Sequence, residues 1–349
     1  MKIAFIIPSL ANKGPILVCQ DIVKSIISKV EYCHVYYFDE VNELEFPCST
    51  TKISFFSNLN FDKYDIVHSH MFRPDLYLLI NRVFRHKKYK TVTTIHTAIY
   101  DDLKYAYSWI KSVTLPPIWK LSWNNLDQIV VLTNFAKSYY KDLKPGVEVI
   151  PNGKSISTQE IEQNDKNRLD NIRRKYKIIG TVASFDDRKG LDQVINALPF
   201  LKDYIFVVIG KGPKKIIDKL SKIAKELHVS DRILFLGERP KGDRYIPYFD
   251  IFVIPSISEG FPLALLEAAA HKAAIICSNI EVFKESFKET DVKFFELKNI
   301  KSLLDAVAFV QENNDSMKRN VYETFKNKYT PEIMADSYLR LYKKMIDYA

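Results

Sequence analysis

The chain of 349 residues is 47% hydrophobic and 27% charged and carries a formal net charge of +9. That length and balance supply enough apolar surface for two packed domains, exclude a chain governed by disorder, and leave no run near the roughly 18 apolar residues of a bilayer-crossing helix. The positive charge admits nucleic acid, anionic lipid or phosphorylated small molecules as partners without choosing among them.

Residues 3–7 form an apolar run, too short for a signal-peptide core and stopped by Pro8, which predicts a first buried strand. The loop 8–15 contains Gly14 and leads into a helix over 16–30; one glycine there lets backbone approach a ligand at a sheet edge but is not the dinucleotide fingerprint. Strands are predicted at 34–38, 52–56 and 64–70. In the last of these His68 and His70 alternate onto one side, and a metal reading lacks a third ligand at useful spacing. A helix over 74–84 ends in the basic run Arg82 to Lys90, either a solvated face or a contact for anionic lipid head groups. The strand 90–95 ends at His96. Between 100 and 123 lie all three tryptophans, broken by Pro116 and Pro117, and either an acceptor cleft, a membrane-facing edge or plain core packing accounts for them. A strand at 128–132, a helix from Thr133, a strand at 147–150 and a Pro151-Asn152-Gly153 turn follow.

Residues 154–176 are polar without an apolar period and predict a domain linker. A strand at 178–183 then leads through Ser184 and Arg188 to Lys189-Gly190, a helix over 191–198 and a strand at 204–209. Gly210 and Gly212 could begin a dinucleotide motif, but Pro213 and two lysines stand where the third glycine belongs, which disfavours hydride chemistry. A helix to 227, a strand at 233–237, the segment Glu238-Arg239-Pro240, a short helix over 245–249 and a strand at 251–255 come next. The richest stretch runs from Ser256 to Glu267. Gly260 permits a turn, and Pro262 suits the first helical position, so a helix beginning at 261 or 262 would turn its amides toward an anionic ligand at the strand ends. Glu267 is the one ionisable group in an apolar helix. It is either paired or ligand-bound, or it forms a narrow solvent stripe with His271. A last strand at 275–277, helices over 300–312 and 315–328, and a final amphipathic helix begun by Thr330-Pro331 close the chain. Four cysteines without C-x-x-C spacing predict reduced thiols in a cytoplasmic protein that at most rests on the inner face of a membrane.

The spacing of Glu259 and Glu267, inside Ser-Ile-Ser-Glu-Gly-Phe-Pro-Leu-Ala-Leu-Leu-Glu, resembles the signature of retaining glycosyltransferases of the GT-B fold, in particular family four. The resemblance implies that Glu259 and the backbone from Gly260 through Phe261 and Pro262 to Leu263 address a donor sugar, and that Glu267 holds the ribose. Lys189 would neutralise the donor diphosphate. The arginine that usually accompanies it is Ser184 here, with Arg188 as a neighbouring substitute. His96 is similar to the strand-end histidine that faces the anomeric centre, Arg239 lies where such enzymes hold the base, Glu285 ends a donor-side loop, and Gly14 is a further donor contact. The Pro-Asn-Gly turn would close the first domain.

The expectation is therefore an α/β protein of two Rossmann-like, doubly wound parallel-sheet domains facing across a cleft: 1–160 on the acceptor side, 161–328 for the nucleotide-sugar, and 329–349 as a helix crossing back. The resemblance implies a retaining transferase moving a sugar from a nucleotide-diphosphate sugar, UDP-sugar favoured, to a glycan or lipid-linked acceptor in surface polysaccharide assembly. Glu259 and His96 would be catalytic. No metal requirement is expected, since no acidic triplet offers a site, and no nucleic-acid module is present. The alternative is a nucleotide-sugar-binding or regulatory protein without turnover.

Overall fold

Ile3, Ala4, Phe5, Ile6 and Ile7 are all fully buried, and this run forms the centre of strand β1 (Lys2–Leu10). The strand continues through Pro8 instead of stopping there. Pairing with the neighbour on one side ends at Ile6, so that side has no ladder for the missing N–H to break. The computed structural model describes residues 1–83, 88–96, 109–144 and 146–347, and at 82–83 and 109–113 the backbone alone.

The chain divides into two units, Met1–Lys154 with Tyr329–Ala349, and Ser155–Lys328. In unit 1, β1 is followed by α1 (Gly14–Ile26), β2 (Tyr32–Asn42), β3 (Ser49–Lys52), β4 (Ile66–His70), α2 (Phe72–Val83), β5 (Lys90–Ile95), α3 (Trp109–Trp123), β6 (Gln128–Val131), α4 (Asn134–Tyr139) and β7 (Val147–Val149). The seven strands are parallel in the order β3-β2-β1-β4-β5-β6-β7, so the winding reverses between β1 and β4. The strand expected at 52–56 lies earlier, at Ser49–Lys52, because pairing with β2 sets its register from His34 opposite Ser49.

Beneath this sheet Asp75 of α2 is buried. It accepts hydrogen bonds from Ser69 Oγ (2.6 Å), Thr93 Oγ1 (2.8 Å), Trp119 Nε1 (2.7 Å) and Trp123 Nε1 (2.9 Å). Burial pushes its carboxyl above the usual range, and the four donors pull the other way. Trp119 and Trp123 are therefore core residues, which decides for them between packing and a membrane-facing edge. The same anchorage explains why α3 runs unbroken through Pro116 and Pro117, where the sequence predicts a break. Trp109 has no described side chain, and the basic run at 82–90 falls largely outside the described residues.

Unit 2 contains α5 (Gln163–Arg173), β8 (Lys177–Val182), α6 (Leu191–Ala197), β9 (Tyr204–Ile209), α7 (Lys214–Glu226), β10 (Ile233–Gly237), β11 (Ile251–Ile254), α8 (Leu263–Ala270), β12 (Ile275–Ser278), α9 (Glu281–Ser286), β13 (Lys293–Phe295) and α10 (Ile300–Lys328). Its six strands are parallel in the order β10-β9-β8-β11-β12-β13, with the reversal between β8 and β11. Three expectations fail here. The presumed linker holds α5, whose few apolar contacts are supplemented by a long-range ion pair described below. The strand at 275–278 is followed by a further one, β13, paired through Ser278 and Phe295. The two helices expected over 300–328 are one: Leu303, Ala306, Val307, Val310, Met317, Val321 and Phe325 keep a single buried face across Asn313 and Asn314. No glycine or proline interrupts it, and the Asn313 amide donates to Phe309 O at 2.9 Å.

The chain re-enters unit 1 beside its exit, where Lys154 N donates to Tyr329 O at 3.0 Å. Helix α11 (Pro331–Asp347) then packs on α1, burying Met334, Ala335, Tyr338 and Tyr342.

Candidate functional site

In unit 2 the site grows from two loops that leave adjacent strands, β8 and β11, at the point where the winding reverses. After β8, Asp186 caps a short turn by accepting from Arg188 N at 2.9 Å, and Ser184 Oγ donates to its other oxygen at 3.0 Å. The turn ends at Gly190 in the left-handed region, φ 59°. A Cβ there would lie 2.1 Å from Pro255 O, so only glycine lets the Lys189-Gly190 turn rest against the end of β11. Gln193 Nε2 donates to the same Pro255 carbonyl at 2.7 Å, and Ile257 N donates to Arg188 O at 2.7 Å. These bonds stitch the two loops together.

The consequence is a contact between two residues seventy positions apart. Lys189 Nζ lies 2.6 Å from Glu259 Oε1, and Ser256 Oγ donates to that same oxygen at 2.7 Å. The pair is partly shielded, with side chains 19% and 11% exposed, so solvent weakens the attraction less than at an open surface. Ser256 is itself buried, and its carbonyl accepts from Ser278 Oγ at the end of β12. An ammonium and a carboxylate in contact at the carboxyl ends of parallel strands form a place where an anionic ligand can exchange partners with the lysine.

The helix after this loop begins at Leu263, later than predicted. Pro262 is the N-cap, with ψ 105° keeping it extended, instead of the first helical residue. Proline has no side-chain oxygen for capping, so the first turn of α8 receives no bond from its own cap residue. Phe261 is buried just before it. Glu267 is half-buried among the buried Leu265, Leu266, Ala268 and Ala269. The solvent-stripe alternative fails, because His271 Nε2 faces Asp243 Oδ2 at 3.4 Å with side chains only 11% and 9% exposed.

The other predicted residues have separate surroundings. Arg188 Nε sits 3.7 Å from Asp186 Oδ1, so Arg188 and Ser184 both converge on Asp186. Arg239 grips Asp165 of α5 with two nitrogens, Nε at 2.6 Å and Nη2 at 3.2 Å, and the Tyr245 hydroxyl donates to Asp165 at 2.6 Å. The guanidinium holds the Asp165 carboxyl below the usual range, while burial and then Asp165 push the Tyr245 phenol up to about 12. Arg239 thus ties α5 to the segment after β10. Glu285 is exposed on α9, a helix where a loop was expected. Gly14 is the first residue of α1, two positions before the predicted helix start.

In unit 1, His70 Nδ1 and His96 Nε2 are 2.8 Å apart at the ends of β4 and β5. His68 is bonded at both nitrogens, to the Tyr342 hydroxyl at 2.7 Å and to Thr94 Oγ1 at 2.9 Å. Burial depresses all three imidazoles, His68 and His96 to about 3 and His70 well below the ordinary value, so they are neutral at neutral pH. Among the described residues no group of three or more His, Cys, Asp or Glu side chains is placed to hold a metal ion. Sequence reasoning missed Ser256, Asp165 and the His70–His96 pair. Only Ser256 had a local signal, its place three residues before Glu259.

Residues 162–327 match the family described as Glycosyl transferases group 1, and residues 49–157 match Glycosyltransferase Family 4. The chain is 30% identical to an Escherichia coli O-antigen biosynthesis glycosyltransferase, WclY, over 99% of both chains. It is 25% identical to the E. coli UDP-Gal:alpha-D-GlcNAc-diphosphoundecaprenol alpha-1,3-galactosyltransferase, over 84% of this chain and 79% of that one. Among solved structures it superposes on sucrose-phosphate synthase from Thermosynechococcus elongatus with a TM-score of 0.82 at 15% identity, over the full length of both. Anabaena HepE in complex with UDP and glucose gives 0.82 at 14% identity, over 99% of this chain and all of that one. Two doubly wound parallel sheets in that order, and matches that run the length of the chain, place this protein in the group 1, family 4 glycosyltransferases with the GT-B fold.

Proposed function

We propose that the protein moves a hexose, with retention at the anomeric carbon, from a UDP-sugar to a hydroxyl of a lipid-linked glycan during assembly of O-antigen or a similar surface polysaccharide. The observation that carries this reading is the Lys189–Glu259 contact at the ends of β8 and β11. In unit 2 the donor diphosphate takes Lys189 from Glu259. The lysine and the first amides of α8 then stabilise the negative charge that builds as the diphosphate leaves, the task a metal ion would otherwise perform. Glu259, released but still tethered by Ser256, addresses the donor sugar, and Glu267 holds the ribose. Unit 1 handles the acceptor, with His96 supplying a hydrogen bond to a sugar oxygen.

The names of the E. coli relatives support an O-antigen role, a UDP-linked donor and a diphosphoundecaprenol-linked acceptor. Exposed Ile118 and Leu121 on α3 support peripheral contact of unit 1 with the membrane that carries such an acceptor. Thermal-shift screening of UDP-, GDP- and ADP-sugars tests the reading, because a ligand at a hundredfold excess over its Kd stabilises the folded state by about 2.7 kcal/mol. A UDP-sugar is expected to raise Tm, Glu267→Ala to abolish the rise and Lys189→Ala to weaken it. An unchanged shift in both variants overturns the site, and binding without release of UDP in the presence of acceptor favours the regulatory alternative.

A further inference from the structure

The strongest unexplained feature lies in unit 1, where two histidine rings meet nitrogen to nitrogen. His70 Nδ1 and His96 Nε2 are 2.8 Å apart, with ring centroids at 5.1 Å and planes inclined by 28°. A hydrogen bond of this kind holds one proton, so two arrangements compete. If His96 supplied the proton, a neutral His70 would carry its own hydrogen on Nε2. That nitrogen is buried and has no hydrogen-bond partner among the described residues. A buried N–H without an acceptor is the rarer and costlier defect, and a bare ring nitrogen in its place is the lesser one.

We infer that His70 is a positioning residue for His96: it donates from Nδ1 to His96 Nε2 and leaves His96 with its hydrogen on Nδ1, as a donor for an oxygen of the sugar substrate. The surroundings hold this arrangement still. His68, fixed at both ring nitrogens by Tyr342 and Thr94, lies with its ring centroid 4.3 Å from that of His70. Tyr338 closes the network with a 2.8 Å bond to Thr94 Oγ1, and Phe5 lies against His68 and His70 at 5.4 and 6.3 Å. Burial keeps the rings uncharged, so neither histidine has a second proton to share. With Nε2 occupied as an acceptor and Nδ1 protonated, His96 does not draw a proton from an acceptor hydroxyl. It hydrogen-bonds a sugar oxygen.

The role given to His96 rests on the transferase reading; the tautomer does not. Protein labelled with 15N-histidine, examined by long-range proton–nitrogen correlation at pH 7 and assigned with His96→Gln, is expected to show His96 protonated on Nδ1 with a bare Nε2. A proton on His96 Nε2 overturns the inference, and this measurement needs no variant of His70 to fold. In turnover of UDP-galactose, His70→Phe is expected to lower kcat by about tenfold or more with KM little changed. His70→Asn, whose amide donates from the place of Nδ1, is expected to recover most of that loss, and His70→Phe is expected to add nothing to His96→Ala. Equal losses in the Asn and Phe variants, or additive losses in the double variant, overturn the positioning role. If the wild-type protein turns over none of the sugar nucleotides, the transferase reading fails and the nitrogen spectra still decide the tautomer.

Discussion

Lys189 and Glu259 come from loops after different strands, yet their charged groups meet at 2.6 Å, and Ser256 binds the same carboxylate oxygen. In the reading proposed above, the lysine that would meet the diphosphate is paired with the acid that would address the sugar. A donor would have to separate them before using either, which would make Glu259 a competitor of the diphosphate for Lys189.

Removing that competitor while keeping its shape is expected to have opposite effects on binding and turnover. Glu259→Gln is expected to tighten binding of UDP by about tenfold, equivalent to about 1.4 kcal/mol, and to reduce sugar transfer by about a hundredfold or more. Calorimetric titration with UDP beside steady-state kinetics reads both. Weaker UDP binding in the variant would refute the competition.

Gly190 is required twice over, by its φ of 59° and by the Pro255 carbonyl that leaves no room for a Cβ. Gly190→Ala is expected to destabilise unit 2 by about 2 kcal/mol or more. Urea unfolding measures it, and a loss under half a kcal/mol would mean that the turn relaxes easily.

The buried Asp75 receives four hydrogen bonds from residues of β4, β5 and α3. Asp75→Ala strands those donors, two of them indole N–H groups, and is expected to lower stability by about 3 kcal/mol or more, since each buried donor left unsatisfied costs about 1–3 kcal/mol. Near-ultraviolet circular dichroism reports the loosened tryptophans, and a wild-type spectrum with wild-type stability would contradict this assignment of the core.

Acid is expected to weaken unit 1 through His68. Its folded-state pKa of about 3 lies below the unfolded value, so the unfolded chain binds the extra proton first. Stability from this residue is complete above about pH 6.5 and declines as pH falls toward 3, by up to about 1.4 kcal/mol per pH unit. Denaturant unfolding between pH 7 and 5, above the range of most carboxylates, reads this contribution together with those of the likewise depressed His70 and His96. His68→Gln should make the slope shallower by its own share, and an equal slope in the variant would locate the effect elsewhere.

Local pattern alone determined the alternation of buried strands and helices and the strand-turn-helix unit around Glu259, since each depends on periodicity or backbone freedom within a dozen residues, while Lys189-Gly190 was marked by the family resemblance. The same local reasoning placed a linker over 154–176, because α5 has almost no apolar stripe of its own and is held by Asp165 reaching Arg239, seventy-four positions away. It left the tryptophans open between surface and core, a choice that the buried Asp75 decides for Trp119 and Trp123. Tertiary structure decided which polar groups meet. Lys189 finds Glu259, and His70 finds His96, because parallel winding gathers the carboxyl ends of strands distant in sequence along one edge, and no local period records that arrangement.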